Sequence, residues 1–437
     1  MADFQRTFSV SDLPSNSSIV SIPLAASVFG SILSGPVADR IGRRNYFFVA
    51  AISKFTGSLV QIMATSIGTL ILGRIISFYA IGIFSMLVPL CKSMYSCATN
   101  VIDQSEISQP EHRGRLIAFY QLGVTLGFCV AFWIGYGTSH ISTNLSWRLP
   151  LGLQILPPFL LFAGLFALPE SPRWLIYRER MAEAFTILTS IRSSVGEDSI
   201  QMEYIGIVQD VSFDKHFSSK SYSSLMHKGI ENNRRRTLLG VGIHMLTQLT
   251  GINVLLYYLP HILQSTGITE INSELLGNGV SGMVNMLATV PVFFFIDKWD
   301  RRRILTGGSL AMAICMITTA TVLGAYSDKN GTENVFINNK AATYSILTVL
   351  CLFIACFALS WGPLGWIYPA EIYPQLIRAK AMGVTTAASY SFNLFISQIA
   401  PVLFRHITWG TYVVFGCSCL LIAWVVHAFY PETRVSL

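Results

Sequence analysis

The chain has 437 residues, and Asp, Glu, Lys and Arg make up only 12% of them, about half the ~25% of a soluble domain. The hydrophobic fraction is 52%, Phe alone occurs 28 times, and mean hydropathy is +0.52. That leaves too little charge to coat the two or three domains a soluble chain of this length would form, and it also excludes disordered, fibrous and disulfide-rich secreted classes. The net charge of +7 would suit nucleic acid only if the basic residues gathered on one folded face, and they do not. The composition implies an all-α polytopic membrane protein that takes a lipid bilayer, and no nucleic acid, as its surroundings. The eight Cys are scattered through apolar stretches. The nearest pair, Cys417 and Cys419, lacks the spacing of a zinc site, so the cysteines read as small core residues.

A helix needs about 20 apolar residues to cross the hydrocarbon. In chain order the candidates are 19–38, 46–67, 70–90, 115–136, 147–168, 237–259, 275–296, 304–325, 342–368, 379–402 and 409–430, which is eleven spans. The first eighteen residues are polar and do not resemble a cleaved signal peptide. Alternating the loops puts 22 Lys and Arg on one side and five on the other, which predicts the first side to be cytoplasmic. The three N-x-S/T sequons, at Asn16, Asn144 and Asn330, all fall on the opposite side, where glycosylation would occur. The N-terminus is then expected outside and the C-terminus inside.

The longest polar stretch, 169–236, divides five spans from six. Motifs recur on either side of it. Gly35-x-x-x-Asp39-Arg40-x-Gly42-Arg43-Arg44 has an echo in Asp297-x-x-Asp300-Arg301-Arg302-Arg303. Glu106 and Arg113 have an echo in Glu371 and Arg378. Pro169-Glu170-Ser171 has one in Pro431-Glu432-Thr433. The offsets are 258, 265 and 262 residues. The chain therefore divides into an N-terminal half 1–168, a linker 169–236 and a C-terminal half 237–437. Two parallel halves with a site between them are the design of a rocking transporter. Asp39, Arg40, Arg43, Arg44, Glu106, Arg113, Glu170, Arg173, Asp297, Arg301, Arg302, Glu371, Arg378 and Glu432 are expected to form a conformational latch, with Arg and carboxylate pairing at helix ends in one state and parting in the other.

These motifs resemble those of the major facilitator superfamily and, within it, the sugar porter (hexose transporter) family. Asp39 to Arg44, Gly73-Arg74, Pro169 to Leu175, Gln248 to Asn253, Pro369 to Pro374 and Pro431 to Thr433 carry the likeness over nearly the whole chain. The resemblance implies two helical bundles and a monosaccharide cargo, a hexose or related polyol. It implies movement by facilitated diffusion or proton symport, so that protons join the sugar as a partner in the second case. No cofactor, metal or obligatory protein partner is expected. No nucleophile–base constellation or phosphate loop occurs, so an enzyme is not expected either. The plasma membrane is the implied location. Alternatives are a sugar sensor, which the seven-residue tail argues against, and a non-transporting truncated splice product.

A sugar offers hydroxyls and apolar ring faces, and amides answer the hydroxyls without a buried charge. The family match assigns sugar contacts to Gln121, Gln248, Asn253, Asn285 and Asn393, with Ser389 where the family has an earlier asparagine. Tyr257 follows Asn253 by four residues and shares its face. Trp366, after Gly362-Pro363-Leu364-Gly365, would cap the sugar on a helix loosened by Pro and Gly. Thr247 replaces the first of the family's paired glutamines. His244 flanks the site and reads as a packed residue.

Two departures stand out. The family has twelve spans; the absent one is the first, so the chain is expected to start one helix late. Residues 91–103 read as an insertion, and replacing them with one Tyr restores the family pattern. Their codons can accommodate splice signals, which suggests a retained intron. In the second-half loop Asp300 stands where the family has Gly.

Overall fold

A computed structural model describes residues 8, 13–90, 113–141, 143–191, 196–217, 222–227, 232–265, 279–326, 340–374 and 377–433. The proposed insertion, Glu106, Asn330 and the side chains of Arg113 and Asp297 lie outside what is described. Among the described residues the ordered structure is helical throughout.

The first half contains α1 (Leu13–Ile41), α2 (Arg43–Ile62), α3 (Ile67–Leu90), α4 (Arg113–Ser139), α5 (Leu145–Leu153) and α6 (Leu156–Leu165). The linker folds into α7 (Pro172–Tyr177), α8 (Met181–Ile191), α9 (Glu197–Phe217) and a 3-10 turn, Tyr222–Met226. The second half contains α10 (Asn233–Leu249), α11 (Ile252–Ser265), α12 (Ser281–Phe295), α13 (Arg301–Tyr326), α14 (Lys340–Leu359), α15 (Trp361–Ile372), α16 (Arg378–Ile407) and α17 (Gly410–Phe429).

Eight helices or joined helix pairs among the described residues are long and apolar enough to cross a membrane. The other three expected spans are also helical. The second, α2, carries Arg43, Arg44 and Lys54. The sixth is cut in two between α10 and α11, and the seventh, α12, has only 15 residues. Each of the three packs one side against neighbouring helices, where protein contacts let polar side chains and breaks be tolerated.

Within the first half, α1, α2 and α3 approach closely at small residues. A Cβ on Gly82 would stand 2.2 Å from the Ser27 carbonyl oxygen, and one on Gly57 would stand 2.6 Å from Ser77 N. Small residues let backbones meet where hydrophobic force between helices is absent. The Gln61 amide seals the α2–α3 contact, donating to the Gly73 carbonyl and to Ser77 Oγ at 3.2 and 2.8 Å.

The two halves meet along two helix pairs, α1 with α16 and α4 with α12. Bonds cross between them: Ser85 Oγ and Tyr390 Oη are 2.6 Å apart, and Gln398 Nε2 donates to Ser21 Oγ. The second half has the larger apolar core, built around Trp361, Phe353, Tyr368 and Tyr373. The linker has its own small core of Leu175, Ile176, Ala184 and Val211.

Candidate sugar site and the paired basic clusters

The α10–α11 break creates the centre of the site. Gly251 has φ +84°, a left-handed conformation that L side chains rarely adopt, and the Phe415 ring leaves no room for a Cβ there. The chain stops one helix at Leu249 and starts the next at Ile252. The break brings Asn253 within reach of Gln248: Asn253 Nδ2 donates to Gln248 Oε1. Gln248 Nε2 in turn donates to Ser389 Oγ on α16 at 3.0 Å. One turn along α16 stands Asn393, whose amide faces the Tyr257 hydroxyl. Asn253, Gln248 and Ser389 thus form one polar chain, with the Asn393–Tyr257 pair one helical turn from its end.

Gln121 and Trp366 come from opposite halves. Gln121 Nε2 lies over Gly362 of α15, where a Cβ would stand 3.2 Å away. The Trp366 indole meets Tyr120 of α4 edge-to-face at 6.2 Å between centroids, and His244 of α10 at 4.8 Å. Asn285 is buried on α12, the helix that packs against α4. Gln121, Gln248, Asn285, Ser389 and Asn393 are all buried, whereas Tyr257 keeps 43% of its surface open.

Two polar atoms here lack a hydrogen-bond partner among the described residues: Asn393 Oδ1 and His244 Nε2. Buried polar groups are nearly always satisfied, and leaving one unmet costs about 1–3 kcal/mol. His244 reads from the sequence as ordinary packing; its contact with Trp366 and its unpaired nitrogen place it beside the candidate residues. Position i−4 to Gln248 was the available signal, since the two share a helix face. Thr247, in place of the family glutamine, turns inward and donates to the Ile243 carbonyl at 2.7 Å.

At the basic end of the molecule the repeated motifs form two matching clusters. In the first, Glu170 Oε1 accepts from the Arg44 backbone N–H at 3.2 Å, so the carboxylate caps the N-terminus of α2. Arg43 Nη1 donates to Ser171 Oγ at 3.1 Å, and Arg44 Nε to the Leu165 carbonyl at 3.0 Å. Trp174 Nε1 bonds the Asp39 carbonyl at 3.1 Å, Arg178 bonds that of Arg40, and Arg173 pairs with Asp210 at 3.7 Å.

In the second cluster Glu432 accepts from the backbone N–H groups of Arg301 and Arg302 at 2.9 and 3.0 Å, capping α13. Arg301 is buried and pairs with Glu371 at 3.3 Å; Thr433 Oγ1 donates to the other oxygen of Glu371 at 2.6 Å. Arg378 donates to the Tyr373 carbonyl at 3.0 Å through Nη2. Glu170 and Glu432 therefore do the same job 262 residues apart, and the repeat is one of geometry as well as sequence. The hydrogen bonds and ion pairs named for each cluster join elements of one half with the linker or with themselves, and Lys380 of α16 and Asp39 of α1 add an interaction by charge between the halves.

A family model described as sugar (and other) transporter matches residues 3–436. A high-affinity glucose transporter of Kluyveromyces lactis is 31% identical over 442 residues, covering 99% of this chain and 77% of the relative. Sugar transport protein 1 of Arabidopsis thaliana is 31% identical over 427 residues, covering 97% and 77%. Among solved structures, the proton:xylose symporter XylE bound to 6-bromo-6-deoxy-D-glucose superposes with a TM-score of 0.78 at 25% identity, covering 96% of this chain and 86% of XylE. A partially occluded inward-open XylE from E. coli gives a TM-score of 0.76, at 23% identity, over 100% and 93% of the two chains. With the motif residues in these positions and the match running end to end, the chain belongs to the sugar transporter family of the major facilitator superfamily.

Proposed function

We propose that this protein carries a monosaccharide across a membrane by alternating access, with the sugar held between the halves. Proteins of this family move solutes and are not enzymes. The observation that carries the reading is the pair of unmet buried atoms, Asn393 Oδ1 and His244 Nε2, beside a ring of amides and the Trp366 indole. Sugar hydroxyls would satisfy both atoms, and the indole offers an apolar face to the pyranose. The proposed contacts are Gln121, Gln248, Asn253, Tyr257, Asn285, Trp366 and Asn393, with His244 added. The two basic clusters act as the latch: each stiffens the basic end of its own half, so that the halves rock as units around α1–α16 and α4–α12.

A hexose is the proposed cargo, as the glucose transporters among the relatives suggest, and the plasma membrane the proposed home. Coupling to protons is proposed on the likeness to XylE. Uptake of labelled D-glucose and L-glucose into vesicles, with and without an inward proton gradient, tests both parts. Saturable uptake of the D-form alone supports the reading, and equal entry of both forms or of neither refutes it. Gradient-insensitive uptake removes the proton. Neither a sensor nor a non-transporting splice product gains support from the relatives.

A further inference from the structure

The linker turn Tyr222–Met226 does more than connect the halves. It is fixed to the second half from below. Leu225 is 4% exposed and sits in that half's apolar core. Its carbonyl accepts from Thr237 Oγ1, at the start of α10, at 3.2 Å. The turn also rests on α16.

From this anchorage Tyr222 reaches across to the first half. Its hydroxyl donates to the backbone carbonyl of Ile32, inside α1, at 2.7 Å. A carbonyl in the middle of a helix is ordinarily taken by the N–H four residues on. For Ile32 that residue is Pro36, which lies inside α1 and has no N–H to give. The proline frees an acceptor, and a side chain anchored in the other half takes it. Burial and the neighbouring Asp39 raise the Tyr222 pKa above its ordinary value, so the hydroxyl keeps its proton and remains a donor.

The surroundings show what this bond holds. Next to Ile32, α1 and α16 run backbone to backbone. A Cβ on Gly383 would stand 2.9 Å from the Ser31 carbonyl, and one on Gly35 would stand 3.5 Å from the Ala379 carbonyl. Lys380 of α16 and Arg43 both act on Asp39 of α1 by charge. The two halves are thus in contact at this level, with Tyr222 outside the contact and bonded to it.

We propose that the linker turn is a hydrogen-bonded strap between the halves, in which Tyr222 holds the Ile32 carbonyl that Pro36 exposes and so favours the state with the basic ends of α1 and α16 packed together. This rests on the alternating-access reading: rocking the halves apart at that end must break the Tyr222 bond and leave the carbonyl to water. Tyr222 touches no sugar and acts as a positioning residue for the conformational cycle.

The test uses the full chain in nanodiscs, with spin labels introduced through non-natural amino acids at exposed Asn45 and Arg303, one in each half. Distance distributions are recorded without sugar and with saturating D-glucose. Tyr222→Phe removes one hydroxyl and is expected to raise the population open at the basic end by about 3- to 10-fold, the usual worth of one net hydrogen bond. Pro36→Ala restores an N–H four residues after Ile32. In that background Tyr222→Phe is expected to shift the population by less than about 2-fold, because the helix then satisfies its own carbonyl. A merely structural role for the tyrosine predicts the same effect in both backgrounds.

Equal shifts with and without Pro36, or no shift on Tyr222→Phe while D-glucose does move the distribution, overturn the strap alone. A distribution that neither D-glucose nor either substitution moves overturns alternating access as well. Because Pro36→Ala removes a helix breaker, that variant and the double variant report on the strap even where Tyr222→Phe alone folds poorly.

Discussion

Gln248 ties three segments to one point: its amide accepts from Asn253 and donates to Ser389, and its helix carries His244 one turn before it. Replacing Gln248 with Ala removes both functions of that amide, and replacing Trp366 with Ala removes the aromatic platform. Loss of the indole is expected to weaken sugar affinity by ~10-fold or more, since each 1.4 kcal/mol is tenfold. Equilibrium binding of labelled D-glucose to the purified protein measures it, and unchanged affinity in both variants would refute the site. His244→Leu makes a narrower prediction. The natural protein should discriminate against the monodeoxyhexose that lacks the hydroxyl met by Nε2, and the leucine variant should lose discrimination at that one position only. A panel of monodeoxy sugars in competition assays reads this out. The amides and the indole stand out in the sequence as candidates because the family motifs surround them. The Gln248–Ser389 bond was not, because it joins residues 141 positions apart, and only helix packing brings them together.

At the scale of the elements, breaks and caps carry the design. Gly251 sets the α10–α11 break, and Gly251→Ala combines a strained backbone with a clash against Phe415. A cost of about 1–3 kcal/mol is expected for a non-glycine residue held in such a conformation. It should appear as a lower melting temperature together with weaker sugar binding, because the break also positions Asn253. The matched caps give a symmetric expectation. Glu170→Ala and Glu432→Ala each strip a carboxylate from a helix N-terminus, α2 in one half and α13 in the other. Each should cost about 0.5–2 kcal/mol, seen as similar falls in melting temperature. A fall in one variant only would contradict equivalence of the clusters. The echo of short motifs at nearly constant offset made this repeat legible. The partners were harder to read. Arg and carboxylate were expected to pair at helix ends, and which of them meet is read only from the structure: the Arg301 side chain pairs with Glu371, while its backbone N–H bonds Glu432. A run of charges says that carboxylate and guanidinium will meet, and the turn geometry decides which ones.

For the whole molecule, the low charge content implied helices in lipid, and the one-sided Lys and Arg implied a basic end. The helical fold follows from that much, while the two bundles follow from the repeated motifs and the family resemblance they carry. The interface between the halves does not, since it depends on small residues such as Gly35 and Gly383 meeting backbone on the other side, and small residues carry little periodic signal. The same holds for Tyr222, whose partner is a carbonyl left open by a proline far away in sequence. In alternating access, one site between two rocking halves serves both faces of the membrane. Counterflow tests it most directly: proteoliposomes preloaded with unlabelled D-glucose are diluted into a trace of labelled D-glucose. A transient overshoot of label above its equilibrium level is expected, present for D-glucose, absent when L-glucose is the internal sugar, and reduced in Trp366→Ala. Label that rises to equilibrium without an overshoot, or does not enter at all, would contradict it.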